Sequence, residues 1–125
     1  MKRKILIVED NVSLSQRQKD WFEQAGYDAM TAMNEPAARA LIRKHQFDLI
    51  LSDVRLPEGN GISLLEWLKK EKRDIPFIIT TEYVSVPDVV RTIKLGAKDY
   101  LPKPVHREHL LELAEEIFRP LATVR

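Results

Sequence analysis

Continuous apolar runs punctuate the chain, and each closes on polar or acidic residues. Ile5-Leu6-Ile7-Val8 ends in Glu9-Asp10, and Phe47-Asp48-Leu49-Ile50-Leu51-Ser52 ends in Asp53. Ile75-Pro76-Phe77-Ile78-Ile79 ends in Thr80-Thr81, and the shorter Asp99-Tyr100-Leu101 precedes Pro102-Lys103-Pro104. Short runs that stay apolar without alternating are the pattern of strands buried on both faces. Tyr27 to Met33 is a weaker strand of the same kind.

Between these runs the apolar residues recur at helical spacing. Leu14, Trp21, Phe22 and Ala25 share a face, and Gly26 stands where a helix commonly ends in a left-handed residue. Asn34 can cap a second helix, whose early Pro36 needs no amide donor and whose Ala37, Ala40 and Leu41 are expected to face inward. After the turn-rich Val54-Arg55-Leu56-Pro57-Glu58-Gly59-Asn60-Gly61, Ile62, Leu65 and Leu68 predict a third helix running to about Lys70. Ser85-Val86-Pro87-Asp88 reads as a capping box, with Asp88 reaching back, for a fourth helix that stops near Gly96. Leu110, Leu113, Ala114 and Ile117 mark a last helix, ended by Pro120. Strand and helix alternate throughout, which predicts an α/β fold: a doubly wound five-stranded parallel sheet in order 2-1-3-4-5 with five helices.

In an open parallel sheet ligands bind beyond the carboxyl ends of the strands. The acids Glu9, Asp10 and Asp53, the hydroxyls of Thr80 and Thr81 and the amine of Lys103 all fall at such ends. They are expected to converge on one spot.

Composition narrows the function classes. At 125 residues, 44% hydrophobic and 31% charged, the chain reads as one globular domain over 1–120, with 121–125 as a tail or the start of a linker. Twenty basic residues against nineteen acidic give a formal charge of +1, which argues against direct nucleic acid binding. There is no cysteine, so disulfides, thiolate zinc sites and thiol nucleophiles are excluded, and a cytoplasmic location is the expectation. Lys2-Arg3-Lys4 imitates the start of a signal peptide, but only four apolar residues follow before Glu9. No run approaches the ~20 apolar residues of a membrane helix.

Four fragments in order carry a family resemblance. They are Ile5 to Asp10, Asp48 to Pro57, Pro76 to Thr81, and Gly96-Ala97-Lys98-Asp99-Tyr100-Leu101-Pro102-Lys103-Pro104. On these residues the chain resembles the receiver domain of bacterial two-component response regulators, which has the flavodoxin-like, CheY-like form of the doubly wound sheet. The last fragment is most similar to receivers of the nitrogen-regulator type, found in sigma-54-dependent transcriptional regulators.

The resemblance implies a signalling phosphoacceptor rather than an enzyme, one that assists only its own phosphorylation and dephosphorylation. Asp53 would take a phosphoryl group from a cognate sensor histidine kinase. A Mg2+ ion would be held by Asp10, Asp53 and the backbone carbonyl of Arg55, with Glu9 bound through water. Lys103 would meet the phosphoryl oxygens, and the peptide before Pro104 would be cis. Thr81, preferred over Thr80, would be the switch hydroxyl and Tyr100 the aromatic that follows it. Three neighbouring carboxylates should raise at least one pKa until a cation neutralises them. Beyond the kinase, the implied partners are an output domain and a homodimer, with no membrane.

Two positions depart from the family's pattern, and the first, Glu9 in place of the more frequent aspartate, is a mild change that leaves metal binding intact. Glu82 occupies a position where family members commonly carry a small residue; it is expected to slow entry of small phosphodonors and water, to pair with Lys103, or simply to turn into solvent. Val86, Val89, Val90 and Ile93 exceed what one buried helix face requires, although core packing accounts for any single one. His45, His106 and His109 read as surface residues, and Trp21 and Trp67 as core or core-margin groups. Tyr100 also admits a simpler role, a tyrosine with a wet hydroxyl on an edge strand.

An aspartyl-phosphate phosphatase of the haloacid-dehalogenase kind would need an acid two residues after Asp53, where this chain has Arg55. A nucleotide or flavin module would need a glycine-rich cradle after the first strand, where this chain has Glu9-Asp10-Asn11-Val12-Ser13. A stand-alone or phosphate-independent receiver, acting as an interaction module, is the remaining alternative.

Overall fold

A computed structural model describes residues 2–120; the tail expected at 121–125 lies outside the described residues. Five strands and five helices alternate: β1 (Lys4–Val8), α1 (Val12–Gln24), β2 (Asp28–Ala32), α2 (Glu35–Lys44), β3 (Leu49–Asp53), α3 (Gly61–Lys70), β4 (Phe77–Thr81), α4 (Val86–Lys94), β5 (Asp99–Pro102) and α5 (Arg107–Phe118). All strand pairs are parallel and the sheet order is β2-β1-β3-β4-β5. Every carboxyl end therefore lies along one edge.

Alternation along the buried strands splits the core into two layers. Leu6, Val8, Ile50 and Ile79 face a cluster built with Ala38 and Ile42 of α2 and Ile62, Leu64, Leu65 and Leu68 of α3. Ile5, Ile7, Leu49, Leu51 and Ile78 face the opposite cluster, built with Phe22 of α1 and Leu110 and Ala114 of α5. Burying one such side chain stabilises by roughly 1.5–3 kcal/mol, so strands with two apolar faces are anchored strongly.

Local chemistry sets the helix ends. Asn11, Asn34, Asn60 and Ser85 each accept from the backbone N–H three residues on. At Ser85 only this half of the capping box forms; the return bond from Asp88 is not made, because an aspartate is one methylene shorter than the glutamate that usually reaches back.

Two helix faces differ from the sequence reading. On α1 the buried stripe is Ser15, Gln18 and Phe22, with Leu14 and Trp21 on its flank and Ala25 exposed. On α2 it is Glu35, Ala38 and Ile42, while Ala37 and Leu41 flank it and Ala40 is exposed. Polar residues occupy the centre of both stripes, which a hydrophobicity pattern places outside. The surplus apolar residues of α4 do not enter the core: only Thr92 is buried, and Val86, Val90 and Ile93 are exposed. His106 and His109 are exposed, whereas His45 is half-buried with its ring 6.0 Å from that of Phe47. No described helix is long and apolar enough to cross a membrane.

Candidate functional site

Three strand ends and one loop supply the site. Glu9 follows β1, and its N–H still donates to the Ala32 carbonyl at 2.9 Å, extending the ladder by one residue and leaving Glu9 buried. Asp10, one residue farther, is exposed. The chain then turns into α1, where the Asn11 N–H donates to Glu9 Oε2 at 3.0 Å. Asp53 is the last residue of β3, buried and paired in register with Thr80.

Lys103 leaves β5 with its N–H donating to the Thr81 carbonyl at 2.7 Å, and its peptide bond to Pro104 is cis. Its ammonium donates to Glu9 Oε1 at 2.7 Å and to Asp53 Oδ2 at 2.9 Å. Two acids remote from it in sequence thus share one cation.

Oxygen atoms of Glu9, Asp10 and Asp53 lie within 4.8 Å of one another. The donor set is all carboxylate, without imidazole or thiolate, which suits a small hard divalent cation such as Mg2+. Beside it opens a cleft of about 430 Å³ lined by Asp10, Asp53, Arg55, Leu56, Pro57, Glu82 and Tyr83. The Arg55 guanidinium lies over the Tyr83 ring, 4.7 Å from its centre, at the cleft's rim.

Burial pushes the Glu9 carboxyl above the ordinary glutamate range; the hydrogen bonds from Lys103 and Asn11 oppose this and the nearby Asp53 charge adds to it. The expected rise in a carboxylate pKa therefore has desolvation as its first cause, with repulsion between acids secondary. Burial pulls the Lys103 ammonium down, but the bonds to Asp53 and Glu9 outweigh it and hold the group above the usual lysine value.

The hydroxyls are arranged differently from the acids. Thr81 Oγ1 donates to the Tyr83 carbonyl at 3.0 Å and accepts from the Tyr83 N–H at 3.1 Å, so it is engaged with the loop after β4. Thr80 is buried beside Asp53 in the sheet register. Tyr100 packs against the first core cluster, and its hydroxyl is buried without a hydrogen-bond partner. A wet hydroxyl on an edge strand is thus excluded.

Glu82 is exposed and lines the cleft, but it does not pair with Lys103, whose ammonium is held by Glu9 and Asp53. The buried acceptors at the ends of β1 and β3 hold the lysine instead.

Two residues of structural consequence to the site escaped the sequence reading. Gly61 opens α3 so close to β3 that a Cβ there would overlap the Asp53 carbonyl and sit 2.9 Å from Ser52 Oγ. Ser52 Oγ in turn donates to the Asp53 carbonyl at 2.9 Å. A glycine at the start of a helix directly after a turn was the available signal, but a turn explains glycine equally well.

Residues 5–115 match the response regulator receiver domain family. The chain is 32% identical to the response regulator protein PilR of Pseudomonas aeruginosa over 94% of its own length and 26% of PilR. It is 38% identical to the transcriptional regulatory protein ZraR of Salmonella typhimurium, over 90% of this chain and 25% of ZraR. With the polar-differentiation response regulator DivK of Brucella anthropi it shares 35% identity over 90% of this chain and 93% of DivK. The chain thus spans about a quarter of the first two proteins. Among solved structures, the CheY-like receiver domain from Methanospirillum hungatei superposes with a TM-score of 0.88 at 33% identity, covering 93% of each chain. The non-phosphorylated HemR receiver domain from Leptospira biflexa does so with a TM-score of 0.88 at 34% identity, covering 99% of this chain and 100% of that one. With the parallel sheet in order 2-1-3-4-5 and the acids gathered at its carboxyl edge, the chain belongs to the receiver domain family of two-component response regulators.

Proposed function

We propose that this domain accepts a phosphoryl group on Asp53 from a sensor histidine kinase, with Mg2+ in the acid cluster, and that the modified site switches an attached output. The observation that carries this reading is the Lys103 ammonium bonded at once to Glu9 and Asp53 at the strand ends. A buried cation held against a nucleophilic carboxylate is what phosphoryl transfer to an acid requires, because positioning and electrostatics supply most of the catalysis.

In the transfer, one Asp53 oxygen attacks phosphorus, the bond to the kinase histidine nitrogen breaks, and that nitrogen keeps the electron pair and takes up a proton. Asp10 and Asp53 would hold Mg2+ directly, the Arg55 carbonyl would add a backbone ligand, and Glu9 would act through water. The bound ion supplies positive charge to neutralise the converging oxygens. Lys103 then follows the phosphoryl oxygens. Thr81 exchanges its bonds with Tyr83 for one to the new group, and Tyr100 adjusts in the space beside it. The exposed face of α4, with Val86, Val90 and Ile93, is the surface on which this change is read. Similarity to the transcriptional regulatory protein ZraR favours transcription as the output, with residues 1–120 forming the receiver unit. A phosphate-independent interaction module is not favoured, since the acids and the cation are all retained.

The test is intact-mass measurement after incubation with Mg2+ and acetyl phosphate, repeated on Asp53→Asn. The unaltered chain gains the mass of one phosphoryl group and the variant gains none. Absence of the gain, or its persistence in the variant, overturns the proposal.

A further inference from the structure

Away from the acid cluster, the most fully bonded buried acid is Glu35, in the first turn of α2 and 4% exposed. Its Oε1 accepts the Asn60 N–H at 3.1 Å, and its Oε2 accepts the Ser63 hydroxyl at 3.2 Å and pairs with the Arg39 guanidinium. Its own N–H donates to the Glu58 carbonyl at 3.1 Å. One residue therefore grips the segment 58–63 through both backbone and side chain.

That segment is the far limb of the loop that follows Asp53. Asn60 forms an antiparallel bridge with Arg55 and also caps α3, its Oδ1 accepting from the Ser63 N–H at 2.7 Å. Beside it Gly59 has a positive φ of 77°, and a Cβ there would overlap the Glu35 side chain. The loop has given up a side chain where the carboxylate stands. On its other side the loop is fixed by Gly61, whose N–H donates to the Val54 carbonyl at 2.9 Å.

We propose that Glu35 is a positioning residue of the cation site: it clamps the loop after β3 so that the Arg55 backbone stays beside Asp53 and Asp10. This rests on the reading in which the Arg55 carbonyl completes the Mg2+ ligands. A Pro-Glu-Gly-Asn-Gly segment is conformationally free on its own, and ordering it costs entropy that a packing contact alone does not direct. A carboxylate directs it, because backbone and hydroxyl donors must be satisfied at fixed distances. The cost of burying the acid is offset by Arg39, which also lies over the Trp67 ring at 5.0 Å and so ties the clamp to α3.

Mg2+ alone is titrated calorimetrically into the unaltered chain and into Glu35→Ala, Glu35→Gln, Gly59→Ala and Ile42→Ala, and amide exchange at Asn60 is followed by NMR. Loss of outer-sphere support weakens metal binding by about tenfold, and Glu35→Ala is expected to show this with faster Asn60 exchange. Glu35→Gln keeps an acceptor oxygen and weakens binding by about threefold. Gly59→Ala, which displaces the carboxylate, follows Glu35→Ala and serves if the latter does not fold. Ile42→Ala, in the core layer of the same helix, lowers stability while leaving Mg2+ affinity unchanged. Equal affinity in the folded Glu35 and Gly59 variants, or an equal loss in Ile42→Ala, overturns the role of Glu35. No binding by the unaltered chain overturns the metal reading itself.

Discussion

Strand β3 pairs with β4 in the sheet and helix α4 follows β4 in the chain, yet the two are held in opposite ways. All five residues of β3 are buried, Ser52 and Asp53 included, whereas α4 buries only Thr92 of its nine. Backbone bonds tie the end of β4 to the chain leaving the strands on both sides of it: Val54, just after β3, donates to the Thr80 carbonyl at 2.9 Å, and Lys103, just after β5, to the Thr81 carbonyl at 2.7 Å. Chemistry sits on the over-determined side, where a misplaced carboxylate would have to drag two core layers with it. The exposed helix, with few apolar anchors, belongs to the low-stability end of the molecule, from which moving elements are drawn. In the proposed phosphorylation, such a division would let the added charge at the buried site move the exposed helix without unfolding the site.

Removing the cation strikes the rigid side hardest. Lys103→Met leaves Glu9 and Asp53 buried without their partner, and the loss is expected at about 2–3 kcal/mol in metal-free buffer, the open cleft keeping it below a fully enclosed pair. Mg2+ should restore more stability to this variant than to the parent, because the ion replaces the missing charge. The sign of the pH dependence follows from the raised lysine pKa: the stabilisation is complete below the unfolded value near 10.5 and fades as pH rises through the higher folded value. Urea unfolding of both proteins from neutral pH upward should show the gap narrowing only in that alkaline range. A gap of zero at neutral pH would mean that the ammonium contributes nothing to holding the acids.

The same contrast governs what could be read from sequence. Runs such as Leu49 to Asp53 announce themselves, since a strand buried on both faces must be apolar and an acid at its end is conspicuous; the sheet order and the gathering of Glu9, Asp10, Asp53 and Lys103 follow from that. The helix faces were less legible because Ser15, Gln18 and Glu35 are polar yet buried, and hydrophobic periodicity places polar residues on the exposed face. In sequence Glu35 is an ordinary first-turn acid, favourable to the helix dipole; its bonds to Asn60 and Ser63 exist only once the start of α2 meets the start of α3. Expecting Glu82 to reach Lys103 failed for a related reason, as the competitors for the ammonium came from other strands.

A smaller effect probes the loose side. The Tyr100 hydroxyl is buried and unpartnered, a condition that costs about 1–3 kcal/mol. Tyr100→Phe keeps the ring packing and removes the orphan, so the resting domain should gain about 1 kcal/mol in denaturant unfolding, the low end because the residue is half-buried. Beryllofluoride should stabilise this variant less than the parent if phosphorylation gives the hydroxyl a partner. Destabilisation by the substitution would instead mean that the hydroxyl already has one.

The smallest expected effect lies between the two regions, at Glu82. Its carboxylate is exposed at a cleft that also holds Asp10 and Asp53, and Lys103 is already taken, so it acts on an incoming anion through bulk and field alone. At an exposed position such effects are small, and Glu82→Ala should accelerate phosphorylation by acetyl phosphate about threefold. Glu82→Gln separates the two contributions, since it keeps the bulk and removes the charge. Charge repulsion predicts that the glutamine variant gains most of the acceleration and that the gain shrinks as salt screens the field. Bulk predicts that glutamine behaves like the parent at every salt concentration. Unchanged rates in both variants would leave Glu82 a bystander on the rim and return control of access to Arg55 and Tyr83, which meet there at 4.7 Å.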